Sequence, residues 1–230
     1  SLNRVLETTD PLNRTRLASY DAAGRIATQT NGRGQVLSYA YDAAGRPRSL
    51  DLAGTESITW SYDAAGNPLR VADGDSVVDT TYDAMNRPTS VQQAYGVLGY
   101  SYDLSGRRTQ LTGAAGAIDY AYDALNRLTG LTDPSARHYG LAYDLAGRLT
   151  KQTNPNATYS LLGYDAANQL SDKAHYAGSG MALGDNTYLH DAAGNVMGWG
   201  TSDGNIRAFA YDASNRLTAV QSTLPAVENE

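Results

Sequence analysis

The chain has 230 residues, 41% of them apolar, a formal charge of -6 and no cysteine. That composition excludes wholesale disorder, a disulfide framework and thiolate chemistry, and its acidic balance argues against nucleic acid, which needs a basic surface. Only 7 prolines and no long apolar run exclude a collagen-like chain and a membrane-spanning helix.

In chain order, the opening "SLNRVLETTD" reads as the inside of a repeat, because Leu2 to Arg4 match Leu125 to Arg127. The piece is therefore expected to be cut from a longer array, truncated at both ends. The first complete copy of the repeated phrase follows at Tyr20-Asp21, with Gly24 and Arg25 behind it. From there the phrase returns through the whole chain. Its aspartates are Asp21, Asp42, Asp63, Asp83, Asp103, Asp123, Asp144, Asp165, Asp191 and Asp212, in steps of 21, 21, 20, 20, 20, 21, 21, 26 and 21 residues. The reading is a single repeat region spanning residues 1–230, with no linker and no second domain.

The candidate motif residues are Tyr41, Asp42, Gly45 and Arg46; Tyr62, Asp63 and Gly66; Tyr82, Asp83, Asn86 and Arg87; and Tyr102, Asp103, Gly106 and Arg107. The later copies are Tyr122, Asp123, Asn126 and Arg127; Tyr143, Asp144, Gly147 and Arg148; and Tyr211, Asp212, Asn215 and Arg216. Three residues after every Asp stands Gly or Asn, the two residues that best tolerate a left-handed backbone. Asp at the head of a turn accepts from the amide two residues on. The phrase therefore predicts a tight hairpin turn closed by a left-handed residue.

Before each turn the chain alternates. Leu37, Tyr39 and Tyr41 share one side of a strand, as do Ile58, Trp60 and Tyr62, then Leu98, Tyr100 and Tyr102, while the residues between them are small or polar. A second turn signal falls mid-repeat, as in "NGRG" at 31–34, "DLAG" at 51–54, "ADGD" at 72–75 and "SDGN" at 202–205. Each unit is thus strand, turn, strand, turn. The predicted fold class is all-β: about ten β-hairpins, some twenty strands, in a strip that coils because strands twist. The 17 tyrosines suit a half-buried sheet surface.

A residue that recurs in every repeat serves the architecture, since a catalytic site is one constellation. Asp is accordingly read as the turn former and Arg as a partner of the neighbouring repeat. The three histidines, His138, His175 and His190, share no ligand spacing, and His190 stands where Tyr normally does, as a stacking substitute. "DGD" at 73–75 lacks the remaining positions of a calcium loop. No nucleophile elbow or phosphate-binding glycine loop occurs, so neither enzyme activity, nor a metal, nor a cofactor is expected. The 26-residue step, in "DKAHYAGSGMALGDN" at 172–186, reads as a loop insertion whose His175 and Tyr176 are contact candidates.

These motifs resemble the YD repeats of the Rhs family, shared by bacterial polymorphic toxins, insecticidal toxin complexes and animal teneurins. The resemblance implies a segment of a hollow β-shell that encapsulates or presents a toxin. Its partners would be the remainder of the shell and an enclosed C-terminal toxin, and its place secreted or on the cell surface. It also implies a self-cleavage motif of Asp-Pro-x-Gly type at the end of the shell, which Asp10-Pro11 and Asp133-Pro134 do not match. The tyrosine ladder keeps an alternative open, a cell-surface adhesion module binding carbohydrate.

Overall fold

The computed structural model describes residues 5–12 and 14–223; the Leu2–Arg4 copy and all but the first residue of the "TLPAVENE" tail lie outside the described residues. Every regular element among the described residues is a strand. By density of contacts the chain divides into two units, Ser1–Ala117 and Ile118–Glu230.

The first unit contains β1 (Glu7–Thr9), β2 (Thr15–Tyr20), β3 (Ile26–Thr30), β4 (Val36–Tyr41), β5 (Pro47–Leu52) and β6 (Glu56–Tyr62). It continues with β7 (Pro68–Ala72), β8 (Val77–Tyr82), β9 (Pro88–Gln93), β10 (Gly96–Tyr102) and β11 (Arg108–Gly113). Each strand pairs antiparallel with the next. The second unit takes up β12 (Gly116–Tyr122), β13 (Leu128–Thr132), β14 (His138–Tyr143), β15 (Leu149–Thr153) and β16 (Tyr159–Tyr164). It ends with β17 (Leu170–Tyr176), β18 (Ala182–His190), β19 (Val196–Gly200), β20 (Ile206–Tyr211) and β21 (Leu217–Thr223), again paired in sequence.

The alternation in the sequence becomes two unlike faces. In the first unit Tyr39 opposes Leu50 and Leu50 opposes Ile58; Trp60 opposes Val71, which opposes Val78; Val91 opposes Leu98. The reverse face carries Ser38 against Asp51, Ala40 against Ser49, Arg70 against Asp79 and Thr81 against Ser90. In the second unit the apolar row runs through Tyr120, Leu131 and Tyr139, gives way to Gln152, Ser160 and His175, and resumes at Tyr188 and Trp199. No apolar residue among those described is buried, and Leu98 on the apolar face is 40% exposed. Neither unit has a core in the ordinary sense. Ladder hydrogen bonds, cross-strand pairs worth roughly 0.2–1 kcal/mol each and the turns hold it together.

The two edges of each unit are built differently. At the Tyr-Asp edge every turn is alike: the register shifts by one residue at the motif aromatic, as between Ala40 and Tyr41 or Ala142 and Tyr143. At the opposite edge the closures vary. Five residues, 31–35, join Thr30 to its partner Val36, and three, 53–55, join Leu52 to Glu56. Four, 73–76, join Ala72 to Val77, and two, Ala94 and Tyr95, join Gln93 to Gly96. Outside the 26-residue step, the odd closures fall in 21-residue steps and the even ones in 20-residue steps. Directly paired residues share a face, so adding or removing one closing residue shifts the next motif without turning the apolar side over.

The 26-residue step corrects one expectation. The insertion does not enlarge a loop: five residues, 177–181, close β17 onto β18, as in the ordinary repeats. Both strands of that hairpin are longer instead, with 7 and 9 residues, and His175 and Tyr176 are the last residues of β17. Extra residues that keep pairing satisfy their own backbone groups, whereas a longer loop would leave those groups to water.

Left-handed backbone is where this fold is most exposed to substitution. Gly147 has φ 85° and Asn126 has φ 65°, as the turn assignment requires. Ala136 is also left-handed at φ 59°, a position where an L-residue with a Cβ is strained. Replacing Gly147 by Val should lower stability by about 1–2 kcal/mol, and replacing Ala136 by Gly should raise it by about 0.5–1 kcal/mol. Denaturant unfolding of the two variants beside the parent checks both signs.

Candidate functional site

The motif residues converge on one device, repeated along the Tyr-Asp edge of each unit. In the Asp42 copy the amide of Asp42 donates to the Arg46 carbonyl at 2.9 Å, and the Gly45 amide donates to the Asp42 carbonyl at 3.0 Å. The Asp42 carboxylate then collects three donors. Its Oδ1 accepts from the amides of Ala44 and Arg46, both at 2.9 Å, and its Oδ2 accepts from Arg46 Nε at 2.7 Å. One carboxylate thus satisfies amides the turn would otherwise leave open, and orients the guanidinium.

That guanidinium reaches the following repeat. The Arg46 guanidinium carbon lies 4.4 Å from the centroid of the Tyr62 ring, and Nη1 donates to the Asp63 carbonyl at 3.2 Å. Tyr62 in turn sends its hydroxyl back to the Pro47 carbonyl at 2.9 Å. The same stacking joins Arg25 to Tyr41, Arg87 to Tyr102, Arg127 to Tyr143 and Arg148 to Tyr164, at 4.4–5.0 Å. The same return bond runs from Tyr41, Tyr82, Tyr102, Tyr143 and Tyr211 to the preceding repeat. Arg does partner the neighbouring repeat, through the ring and the backbone carbonyl; its ion pair is with the Asp of its own turn, as at Arg107 and Arg216. The reason is reach: Nε lies beside the carboxylate four residues back, and only the far nitrogens extend to the next turn.

Three copies lack Arg, and in two of them an asparagine takes over the link. Asn67 Nδ2 donates to Asp63 Oδ2 at 2.8 Å and to Asn86 Oδ1 at 2.7 Å, and Asn195 spans Asp191 and Asn215 in the same way. In the third copy Gln169 precedes His190, the one motif position without a tyrosine ring.

Elsewhere the sequence candidates resolve into structure. The "DGD" stretch is a turn in which Asp73 Oδ1 accepts from the Asp75 and Ser76 amides at 3.0 and 2.7 Å. Both Asp-Pro pairs open turns of the same construction, with Arg14 Nε and Arg137 Nε each 2.7 Å from the Asp carboxylate. His175 meets Ser160 across the strands at 2.9 Å, and Tyr176 stacks on Tyr159 with centroids 5.0 Å apart. Sequence spacing could not show those partners, because strands β16 and β17 must be registered first. Among the described residues no group of three or more His, Cys, Asp or Glu is arranged to hold a metal.

The turn carboxyls are acidified. The carboxyls of Asp21, Asp42, Asp123, Asp144 and Asp212 lie below their ordinary 3.8, first because of the amide of the Arg four residues on, with that arginine's side chain adding to it. For Asp83 the Arg87 side chain is the first cause. A carboxyl whose pKa is lower in the folded chain lets the unfolded chain bind protons first as pH falls. The stability it contributes is whole above the ordinary value and is lost as pH drops through the folded-state values. The melting temperature should therefore hold from neutral pH down to about pH 4 and fall below it, which calorimetry at a series of pH values checks. Replacing Asn67 by Arg should place a guanidinium over the uncapped Tyr82 ring and stabilise the first unit by about 0.5–1 kcal/mol, read as a higher denaturation midpoint.

Two families match the chain. Teneurin YD-shell covers residues 71–173, and RHS Repeat covers 1–36, 20–56, 41–78 and 190–225. No curated protein matches it. Among solved structures, those of TcdB2-TccC3-Cdc42 and of TcdB2-TccC3 resemble it over 94% of its length at 18% identity, with TM-scores of 0.71 and 0.70. The chain spans 13% of the length of each. At that identity the likeness concerns the fold, and the two family matches agree with it. The all-β chain of Tyr-Asp hairpins belongs to the YD-repeat family of Rhs and teneurin shells.

Proposed function

We propose that the chain is a non-catalytic wall segment of a Rhs-type YD-repeat shell, one continuous repeat region over residues 1–230 that encloses or presents a toxic polypeptide. The observation that carries this reading is the fate of the repeated polar residues. Asp, Arg and Tyr, the residue types from which a site would be made, are spent on joining one repeat to the next. A wall needs that continuity, and an enzyme needs a singular constellation. The half-exposed apolar face supports the same reading, since a sheet with such a face calls for a covering partner. The partners in this reading are the remainder of the shell and an enclosed C-terminal toxin, and the setting is secretion by a bacterium.

A carbohydrate-binding role for the tyrosine ladder has less support. The motif hydroxyls already donate to backbone carbonyls, and several rings are covered by guanidinium groups. At those motif positions little of either remains for a sugar.

Limited proteolysis of the full-length natural protein tests the proposal. The segment C-terminal to the array should resist trypsin in the parent, and become sensitive when Gly106→Val and Gly147→Val together loosen the wall. Cleavage of that segment in the parent as fast as in the same segment expressed alone would sink the shell reading. Binding of a defined glycan by the chain, lost on removing motif tyrosines, would favour the cell-surface reading in its place.

A further inference from the structure

The long hairpin of β17 and β18 builds a cleft at its outer end. β19 pairs with β18 only over Thr187–His190, so the outer part of β18 runs past it. The turn after β19 lies alongside that overhang, tied to it by the Ser202 amide, which donates to Asp185 Oδ1 at 2.9 Å. Between hairpin and turn is a space of about 560 Å³, lined among others by Ala174, Tyr176, Leu183, Asp185, Thr201 and Asp203.

Three features of the cleft belong together. Tyr176 forms a braced aromatic wall, stacked on Tyr159, over which the Lys151 ammonium already sits at 4.4 Å. Asp185 and Asp203 contribute two carboxylates, and among the described residues neither is paired with a cation; their partners are the Ser202 amide, the Thr201 hydroxyl and Asn205 Nδ2. The Asp203 carboxyl lies below its ordinary value, first because of the Thr201 hydroxyl, so it is charged at neutral pH. Ala174 and the exposed Leu183 add a short apolar stretch beside the ring.

We propose that this cleft binds a long cationic side chain, arginine or lysine, presented by a polypeptide partner. The chain itself shows the mode of recognition. At each complete Tyr-Asp turn a guanidinium is held between a carboxylate and a tyrosine ring, as Arg46 is by Asp42 and Tyr62. The cleft offers ring and carboxylates again and supplies no cation of its own. Its apolar stretch suits the methylene stem of such a side chain, while the head group reaches the carboxylates. The chain's charge of -6 draws a basic segment toward it. A neutral apolar side chain would strand two carboxylates, and an acidic one would be repelled. This inference does not depend on the shell reading.

The test is titration of the isotope-labelled 230-residue chain with the peptide acetyl-Gly-Arg-Gly-amide, followed by amide chemical shifts. The shifts should centre on residues 182–185 and 201–203. The peptide with citrulline in place of arginine keeps the shape, loses the charge, and should bind about ten-fold more weakly. Asp203→Asn should weaken the arginine peptide about five-fold, read at a temperature where circular dichroism shows the variant folded. Tyr176→Leu should weaken it as well, with circular dichroism confirming that the sheet is intact. Equal binding of the citrulline peptide, shifts confined to the Tyr-Asp edge, an unaffected Asp203→Asn variant, or no shifts at all would each overturn the proposal.

Discussion

A single carboxylate at the head of each turn governs the geometry of everything around it. By gathering two amides and one guanidinium nitrogen, Asp42 closes its own hairpin and at the same time fixes where Arg46 points. Where Arg46 points decides where Tyr62 lies, and the Tyr62 hydroxyl returns to the strand that Arg46 introduces. Local turn chemistry is thereby converted into contact between repeats. Without it, adjacent hairpins would be joined by strand pairing alone, which fixes the spacing of strands but leaves the ends of a hairpin free to splay.

Such a relay is needed because the sheet has little else. A domain with helices packed on its sheet draws most of its stability from buried apolar area. Here Leu98 and its neighbours on the apolar face remain partly open, and only Gly130 and Ser160 among the described residues are buried. The polar edge takes over part of the task that a core performs elsewhere. This also explains why departures from the motif come in matched sets. Asn67 bridges to Asn86 and Asn195 to Asn215, so the link between two repeats survives the loss of the arginine.

The hairpins were legible in the sequence because their turns admit so few residues. Gly or Asn three positions after Asp is a steric demand, and Gly147 and Asn126 meet it with positive φ. The alternation ahead of Tyr39 and Trp60 likewise became a face, because strand geometry leaves it no other outcome. Three features were not legible. Ala136 and Ala157 are left-handed although neither is a residue that favours it, because the closure imposes its conformation there. The ion pair of Arg46 within its own turn competes on paper with one to the neighbouring repeat, and only the reach of Nε decides between them. The overhang of β17 and β18 depends on whether added residues go on pairing, which composition alone does not determine.

The contrast between the two edges has a consequence for how such a chain can change. On the Tyr-Asp side a single inserted residue would break the column of guanidinium-on-ring contacts. On the other side closures of two, three, four and five residues already coexist without turning the sheet over. Variation is thus channelled to one margin, which behaves as a tolerant hem sewn to a rigid keel. New sequence can accumulate there by ordinary insertion, as the lengthened hairpin shows, and foreign peptides grafted at Ala94 and Tyr95 would be displayed without disturbing the column opposite.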